Sequence, residues 1–189
     1  MNIPYTVQPR ADTGVSNVTM GIWLFLASEV MLFGALFSAY ALLRFAAPVW
    51  PSGRALLSLS IGSGNIVLLV AMSLLAWKAR QAPIDRARIL LMFSTLCALG
   101  FLALKTIEYR GEIRLGMVPA LNTFLAMYFT LTGLHALHVI GGVIASLWIM
   151  LGVRRAGTAV TAQRIHVLSL YWMFVDAVWL VIFVLMYLS

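Results

Sequence analysis

Residues 130–142, Thr-Leu-Thr-Gly-Leu-His-Ala-Leu-His-Val-Ile-Gly-Gly, decide the fold of this chain. They lie within its longest apolar segment, residues 123–153. His135 and His138 share one face of any helix, and Gly142 and Ala145 continue that face. Small residues let helix backbones approach closely, and polar groups in hydrocarbon need partners. We therefore expect this face to point towards other helices of a membrane-embedded bundle.

The composition extends this prediction to the whole chain. Of its 189 residues, 62% are hydrophobic and 10% are charged, far fewer charges than soluble domains carry. Buried helices of a soluble protein would need an amphipathic shell that this short chain does not supply. We predict an all-α integral membrane protein, a bundle of five transmembrane helices in a single domain, residues 1–189. Its five apolar stretches approach or exceed the roughly 20 residues that cross a bilayer, and they follow a polar N-terminal segment (1–17) at residues 20–43, 56–77, 89–107, 123–153 and 167–188.

The positive charge fits a membrane protein better than a nucleic-acid-binding one. The net charge is +7, but the basic residues are scattered in short loops between the apolar runs. We therefore expect no nucleic-acid partner. With loops assigned to alternate sides, eight Lys and Arg residues fall on the side of the N-terminus and five on the other. Because basic loops stay in the cytoplasm, we expect a cytoplasmic N-terminus and a periplasmic C-terminus.

Ionisable side chains inside the spans are costly to bury, so each is a functional hypothesis. Glu29 lies near the middle of the first span, where it could be a proton site or contact a lipid or ligand. It could instead form an interhelical hydrogen bond, for example with a histidine of the fourth span. Six such residues occur in all: Glu29, Lys105, Glu108, His135, His138 and Asp176.

For the remaining charged residues, structural roles are the simpler prediction. Lys105 and Glu108 are spaced to form an ion pair at the end of the third span, which would anchor it at the membrane interface. Asp176 lies between Trp172 and Trp179 on one helix face, so its carboxyl group could accept their N–H bonds. We expect His135 and His138 to be structural polar residues as well.

A metal centre is a possible alternative for these residues, and the spacing argues against it. Carboxylate-bridged di-metal bundles use Glu-x-x-His pairs, whereas this chain has His-x-x-His. Glu108 also lies near a membrane surface while Glu29 is central, so the two carboxylates should not converge. His135 and His138 share one helix, which argues against haem ligation between helices. We expect no metal site, no cofactor and no catalytic residue in this chain.

Four motifs, in order along the chain, give it a resemblance to a known family. The chain resembles subunit III of haem-copper respiratory oxidases, in the short five-span bacterial form, across all five spans. The motifs are Ser28-Glu29-Val30-Met31-Leu32-Phe33, Lys105-Thr106-Ile107-Glu108-Tyr109, Thr132-Gly133-Leu134-His135-Ala136-Leu137-His138-Val139, and Tyr171-Trp172 with Phe174-Val175-Asp176 and Val178-Trp179.

The resemblance implies a non-catalytic accessory subunit in the aerobic electron transport chain of a bacterial inner (plasma) membrane. Such a subunit docks on catalytic subunit I, with subunit II and further small membrane subunits as expected partners, and the haem and copper reside in those partners. It supports assembly, proton uptake and turnover stability, and holds phospholipid in a cleft between helices. By the same resemblance, Glu29 and Trp23 line the cleft, and Arg154 and Arg155 bind lipid phosphate.

The chain departs from the family pattern in three places. The longest members have seven spans, so the first two are absent here, and one wall of the cleft must be missing or come from another chain. Met173 stands where the family usually has His, and Met cannot supply a proton donor to Asp176. His166 falls where longer members often have Glu, so that position is not equivalent.

Two rival functions remain open on the sequence. One is a subunit-III-like accessory protein of a nitric oxide reductase. The other is a stand-alone proton-coupled transporter or membrane enzyme, with a relay through Glu29, His135 and Asp176. Proline is absent from all five predicted spans, which argues against the broken helices typical of transporters. For an oxidase, cytochrome c and quinol remain alternatives as electron donor.

Overall fold

A computed structural model describes residues 8–152 and 158–189 of the chain, and the regular secondary structure of these residues is entirely helical. Within these residues, five helices are long and apolar enough to cross a membrane, and one is a short connecting helix. The predicted all-α membrane bundle of five transmembrane helices is therefore confirmed. The helices are α1 (Asn17–Ala46), α2 (Gly53–Leu56), α3 (Leu59–Gln81), α4 (Ile84–Arg114), α5 (Thr123–Gly152) and α6 (Thr158–Tyr187).

Capping side chains set the starts of two of the long helices. The side chain of Ser16 accepts a hydrogen bond from the backbone N–H of Thr19 at 3.2 Å, at the start of α1. Asn122 accepts one from the N–H of Leu125 at 2.8 Å, at the start of α5. These bonds satisfy N–H groups that have no partner within the helix. After the C-terminal end of α4, Gly116 adopts a φ of 74°, the left-handed conformation that stops many helices.

Helices α4 and α6 extend furthest beyond the apolar stretches that predicted them. The predicted span 89–107 lies inside α4, which has 31 residues and runs from Ile84 to Arg114. The predicted span 167–188 is preceded by helical residues from Thr158 onwards. Hydropathy excluded the charged turns at these ends. In α4 the backbone remains helical through them because no helix-breaking residue occurs between Pro83 and Gly116.

Four of the long helices form the core of the bundle. Helix α3 packs against α4 and α6, and α5 packs against the same two helices. Large aromatic side chains fill the centre, among them Phe101, Tyr128, Trp172, Trp179 and Tyr187, all fully buried. Helix α1 lies at the edge, against α5 and α6. Of its most apolar 18-residue segment, 11% is buried, compared with 33–44% for the same kind of segment in the other four long helices.

Three polar contacts, near the start, middle and end of α1, attach it to α5 and α6. Apolar surface gives little drive for helix association in lipid, so hydrogen bonds and close packing fix which helices meet and in what register. The contacts join the Gln163 amide nitrogen to the hydroxyl groups of Ser16 (3.1 Å) and Thr19 (2.6 Å), the Glu29 carboxyl to His138 Nε2 (2.8 Å), and the Tyr40 hydroxyl to the Leu185 carbonyl (2.8 Å).

The face that the sequence singled out on α5 points inward, as predicted. His135 is fully buried, and Gly142 is buried against Trp172 of α6. A methyl group added at Gly142 would lie 2.7 Å from Cζ3 of that indole, far inside contact distance. Only a residue without a side chain permits this approach of α5 to α6.

Candidate functional site

The Glu29 carboxyl group is bonded to His138, across the boundary between α1 and α5. Glu29 Oε2 lies 2.8 Å from His138 Nε2, and each side chain is 14% exposed. His138 Nδ1 lies 2.8 Å from the carbonyl oxygen of Leu134. Because a carbonyl can only accept, Nδ1 carries a proton, and a second proton lies between Nε2 and Oε2. The pair is electrically neutral overall whichever atom holds that proton.

This bond is one of the alternatives that the sequence left open. An interhelical hydrogen bond to a histidine of the fourth span was one of the two predicted roles for Glu29, and the structure forms it. The histidine is His138 rather than His135. The contact ties α1 to α5 close to the middle of both helices, where a lone carboxyl would otherwise face hydrocarbon.

His135 has a different environment from its neighbour. Its ring is packed between Phe101 and Trp179, with ring centroids 5.4 Å and 5.1 Å away. Neither ring nitrogen has a hydrogen-bond partner among residues 8–152 and 158–189. Its surroundings are therefore those of an aromatic core residue.

Lys105 lies at the centre of a buried polar network at one end of the bundle. Its ammonium group donates to Glu108 Oε2 at 2.8 Å and to the hydroxyl oxygens of Tyr128 (2.7 Å) and Tyr187 (2.9 Å), which uses its three protons. Tyr187 donates to Glu108 Oε1, and Tyr128 donates to Glu112 Oε1, both at 2.8 Å. The network links α4 to α5 and α6.

The predicted Lys105–Glu108 ion pair is thus formed, and it is buried among the helices near one end of the bundle. Lys105 is 2% exposed and Glu108 4%. The tyrosines of α5 and α6 close over the pair, and they lie far from it in sequence. The ion pair therefore belongs to a network that joins three helices.

The hydrogen bonds predicted from the two indole groups to Asp176 are not formed. Trp172 Nε1 donates to Ser146 of α5 at 3.3 Å, and Trp179 Nε1 has no acceptor in the described part of the chain. Both indoles are fully buried in the core, whereas Asp176 lines a groove between α3 and α6. The two tryptophans thus lie on the core side of α6, and the carboxyl group is at the edge of that side.

A cavity of about 590 Å³ lies between the first half of α1 and helices α5 and α6. Its walls are apolar, with Ile22, Phe25 and Ala145 among them. Its polar side chains include those of Gln163 and Arg164 at the start of α6. The Arg164 guanidinium carbon lies 4.4 Å from the ring centroid of Trp148, a cation–π contact that holds the charge beside the cavity.

The residues predicted to line a lipid cleft are not brought together at this cavity. Glu29 is bonded to His138, and Trp23 is 56% exposed on α1; neither lines the cavity. Arg154 and Arg155 lie outside the described residues. The cation that the structure does place at the cavity is Arg164.

Two positions that depart from the family pattern have clear settings. His166 Nδ1 lies 3.3 Å from Arg80 of α3, a contact between the ends of two helices. Met173 is 49% exposed and lines the groove between α3 and α6 beside Asp176. In residues 8–152 and 158–189, no three His, Cys, Asp or Glu side chains converge in a way that could hold a metal ion.

Comparison with known proteins establishes the family. The model of the family described as "Cytochrome c oxidase subunit III" matches residues 10–189. The chain belongs to this family. Its relatives include subunits of a ubiquinol oxidase and of a cytochrome c oxidase. The cytochrome bo(3) ubiquinol oxidase subunit 3 of Pseudomonas putida is 33% identical over 182 residues, covering 94% of this chain and 87% of the relative. The cytochrome c oxidase subunit 3 of Bacillus sp. (strain PS3) is 32% identical over 190 residues, covering 98% and 92%.

A third relative combines two subunit names in one chain. The "Heme-copper oxidase subunit I+III" of Aeropyrum pernix is 30% identical over 187 residues, which covers 91% of this chain and 23% of that longer protein. The resemblance inferred from the four motifs is therefore confirmed, and the fold and the family agree on a membrane-embedded, all-α subunit III of a haem-copper oxidase.

Sequence reasoning missed three of the residues that organise the polar interior. Tyr128 and Tyr187 complete the Lys105 network, but nothing in their local sequence distinguishes them from interfacial tyrosines. Arg164 fell in a predicted loop because hydropathy placed the start of the last span after it. A helical reading of residues 158–166 would have aligned Arg164 with Val160 and Leu168, which line the same cavity.

Proposed function

We propose that this chain is a non-catalytic, phospholipid-binding accessory subunit III of a haem-copper terminal oxidase, in a bacterial inner membrane. It associates with catalytic subunit I, with subunit II and with further small membrane subunits, and these partners carry the haem and copper. The Aeropyrum pernix relative supports the association, because its name joins subunits I and III in a single chain. The match over residues 10–189 favours an oxidase over a stand-alone transporter.

The cavity between α1, α5 and α6 is the observation that carries the lipid-binding part of the proposal. A phospholipid combines apolar chains with an anionic phosphate. The cavity offers apolar walls and one guanidinium group, Arg164, near the ends of the helices, where headgroups lie. Arginine binds phosphate well because its planar donor groups match the phosphate oxygens. Arg154 and Arg155 follow α5 directly in the sequence and are proposed as further phosphate partners.

Glu29 has a positioning role in this proposal. Its bond to His138 fixes the distance between α1 and α5, and both helices line the cavity. Trp23 lies on the exposed side of α1 and would contact lipid from outside the cavity. A cavity with fixed walls binds a lipid acyl chain of defined size without first having to become ordered.

The remaining buried polar groups serve the bundle itself. The Lys105 network and the contact of Ser146 with Trp172 are internal, and each joins two or more helices. We infer that this subunit contributes rigidity and bound lipid to the oxidase, and that assembly, proton uptake and turnover stability of subunit I benefit from both.

Filling the cavity tests the proposal. Ala145→Trp would place an indole among its walls, whereas Ile144→Trp, on the same helix, alters a residue that is 62% exposed and does not line it. In the purified oxidase we expect Ala145→Trp to lower the amount of phospholipid per haem and to shorten the catalytic lifetime, with the initial rate unchanged. Lipid phosphorus analysis and the decay of oxygen consumption provide the measurements.

The Ile144→Trp oxidase should match the unmodified one in both measurements. Equal phospholipid content in all three oxidases would contradict the lipid-binding role. An immediate and complete loss of activity in Ala145→Trp would contradict the accessory role, because it would place an essential group at the cavity.

A further inference from the structure

A groove between α3 and α6 contains an unpaired carboxyl oxygen. The groove has a volume of about 460 Å³ and is lined by residues of α3 and α6. Its walls include Leu74 and Trp77 of α3 and Met173 and Ala177 of α6. Asp176 also lines it, and Asp176 Oδ1 is buried without a hydrogen-bond partner in residues 8–152 and 158–189.

The neighbouring hydroxyl group forms no hydrogen bond with Asp176 Oδ1. Ser73 lies in the same groove, but its hydroxyl donates to the backbone carbonyl of Trp172 at 3.2 Å. A buried polar oxygen in hydrocarbon is costly unless it is hydrogen-bonded. The described part of the chain therefore leaves one polar group of the groove unsatisfied.

The depth of Asp176 limits what can satisfy it. Helix α6 runs from Thr158 to Tyr187, so Asp176 is about 27 Å from one helix end and about 17 Å from the other at 1.5 Å per residue. Phospholipid headgroups lie outside the hydrocarbon core, roughly 15 Å from its centre. Acyl chains reach Asp176 but offer no hydrogen bond. A membrane-spanning helix can present a polar side chain at this depth.

The outer face of α1 provides a contrast. It is also exposed and apolar, with Leu24 68% and Met31 76% exposed. However, its hydroxyl groups are satisfied within the helix, since Ser28 donates to the Phe25 carbonyl at 2.7 Å and Ser38 does the same one helical turn back. That face is complete in contact with lipid, whereas the groove is not.

We propose that the groove between α3 and α6 is the docking site for a transmembrane helix of the haem-bearing catalytic subunit, and that this helix hydrogen-bonds Asp176. The partner side chain is one that both donates and accepts, such as Ser, Thr, Asn or Gln. Ser73 and Ala177 are small enough for its backbone to approach closely, and Leu74 and Met173 pack beside it. This inference rests on the proposed association with that subunit.

Photo-cross-linking in the assembled oxidase tests the docking site. A benzophenone amino acid replaces Leu74 or Met173 in the groove, each about half exposed, with Asp176 unchanged. The same amino acid in place of Leu24 on α1 is the control. We expect cross-links from both groove positions to the haem-bearing subunit, and cross-links from position 24 to lipid. Groove positions that capture lipid or a second copy of this chain, with no cross-link to the haem-bearing subunit, would overturn the proposal.

Two variants then test the hydrogen bond. Asp176→Asn keeps groups that donate and accept, whereas Asp176→Leu removes them at a similar side-chain volume. We expect Asp176→Leu to lower the fraction of haem-bearing complex that retains this chain in stripping detergent by about threefold, the effect of one interhelical hydrogen bond in a membrane. Asp176→Asn should retain it. Equal retention of the two variants would overturn the role of Asp176.

The outcomes separate this inference from the proposed function. A chain that never co-purifies with haem contradicts the proposed function. A chain that co-purifies and is cross-linked to the haem-bearing subunit from position 24, but not from position 74 or 173, contradicts the groove alone.

Discussion

Lys105 shows how one buried charge can fix the packing of three helices. Its ammonium group bonds a carboxylate on its own helix and a tyrosine on each of two others. Burying a charge in this way is tolerated because each of its protons has an acceptor. The spacing of Lys105 and Glu108 predicted the ion pair, since it is local. The tyrosines are 23 and 82 residues away along the chain, and no local pattern could have indicated them.

Replacing Lys105 should therefore be strongly destabilising. Lys105→Met leaves Glu108 and the neighbouring Glu112 buried without a cation, and breaking a buried pair costs about 3–5 kcal/mol. The free energy of unfolding of the purified subunit in mixed detergent micelles is the measurement. Arg114→Met, in the exposed last turn of the same helix, is the control and should change it by less than about 0.5 kcal/mol. Similar losses in both variants would show that the network is not the cause.

At the scale of helices, the close approach of α5 to α6 depends on Gly142, which has no side chain. Gly142 is in contact with the Trp172 ring, and that ring in turn donates its N–H to Ser146 of α5. The sequence indicated the face of α5 that would be buried, because small and polar residues recur on it. It did not indicate the neighbouring helix, because an apolar helix in lipid can present the same face to any partner.

A methyl group at Gly142 should separate the two helices. We expect Gly142→Ala to lower the free energy of unfolding by about 1–3 kcal/mol, the usual cost of overpacking a core. Gly141→Ala is a matched control one residue away, since its methyl group would lie 3.7 Å from the Tyr171 hydroxyl, an ordinary contact. Detergent unfolding followed by circular dichroism measures both. If Gly142→Ala is as stable as Gly141→Ala, the contact with Trp172 is not tight.

Helix lengths show where hydropathy loses information. The third apolar stretch is the shortest in the sequence, at residues 89–107, yet the helix that contains it has 31 residues. Its charged end turns are helical because capping and turn residues, and not hydrophobicity, end a helix. The same effect placed Arg164 in a loop and so hid the cation beside the cavity.

At the scale of the whole molecule, the number of helices and the family could be predicted from the sequence, and the packing could not. Five apolar stretches give five helices, and four motifs gave the family. The order of packing around α3 depends on contacts between distant residues, as does the position of α1. The direction of insertion remains a prediction from the distribution of basic residues.

Cysteine labelling tests this direction. In a Cys97→Ala background, which removes the native thiol, we introduce Ala11→Cys before α1 or Val49→Cys after it. With a cytoplasmic N-terminus, a membrane-impermeant maleimide added to spheroplasts should label position 49, which is 83% exposed, and leave position 11 unlabelled until the membrane is opened. The reverse pattern would show the opposite orientation.

The three attachments of α1 have a consequence for the surrounding bilayer. A helix held at one point can slide or tilt to match the thickness of the lipid around it. Because α1 is bonded near both ends and at its middle, its vertical position is set by α5 and α6. In a thinner or thicker membrane the lipid next to α1 must stretch or compress, so this edge of the protein favours lipids whose length already suits it.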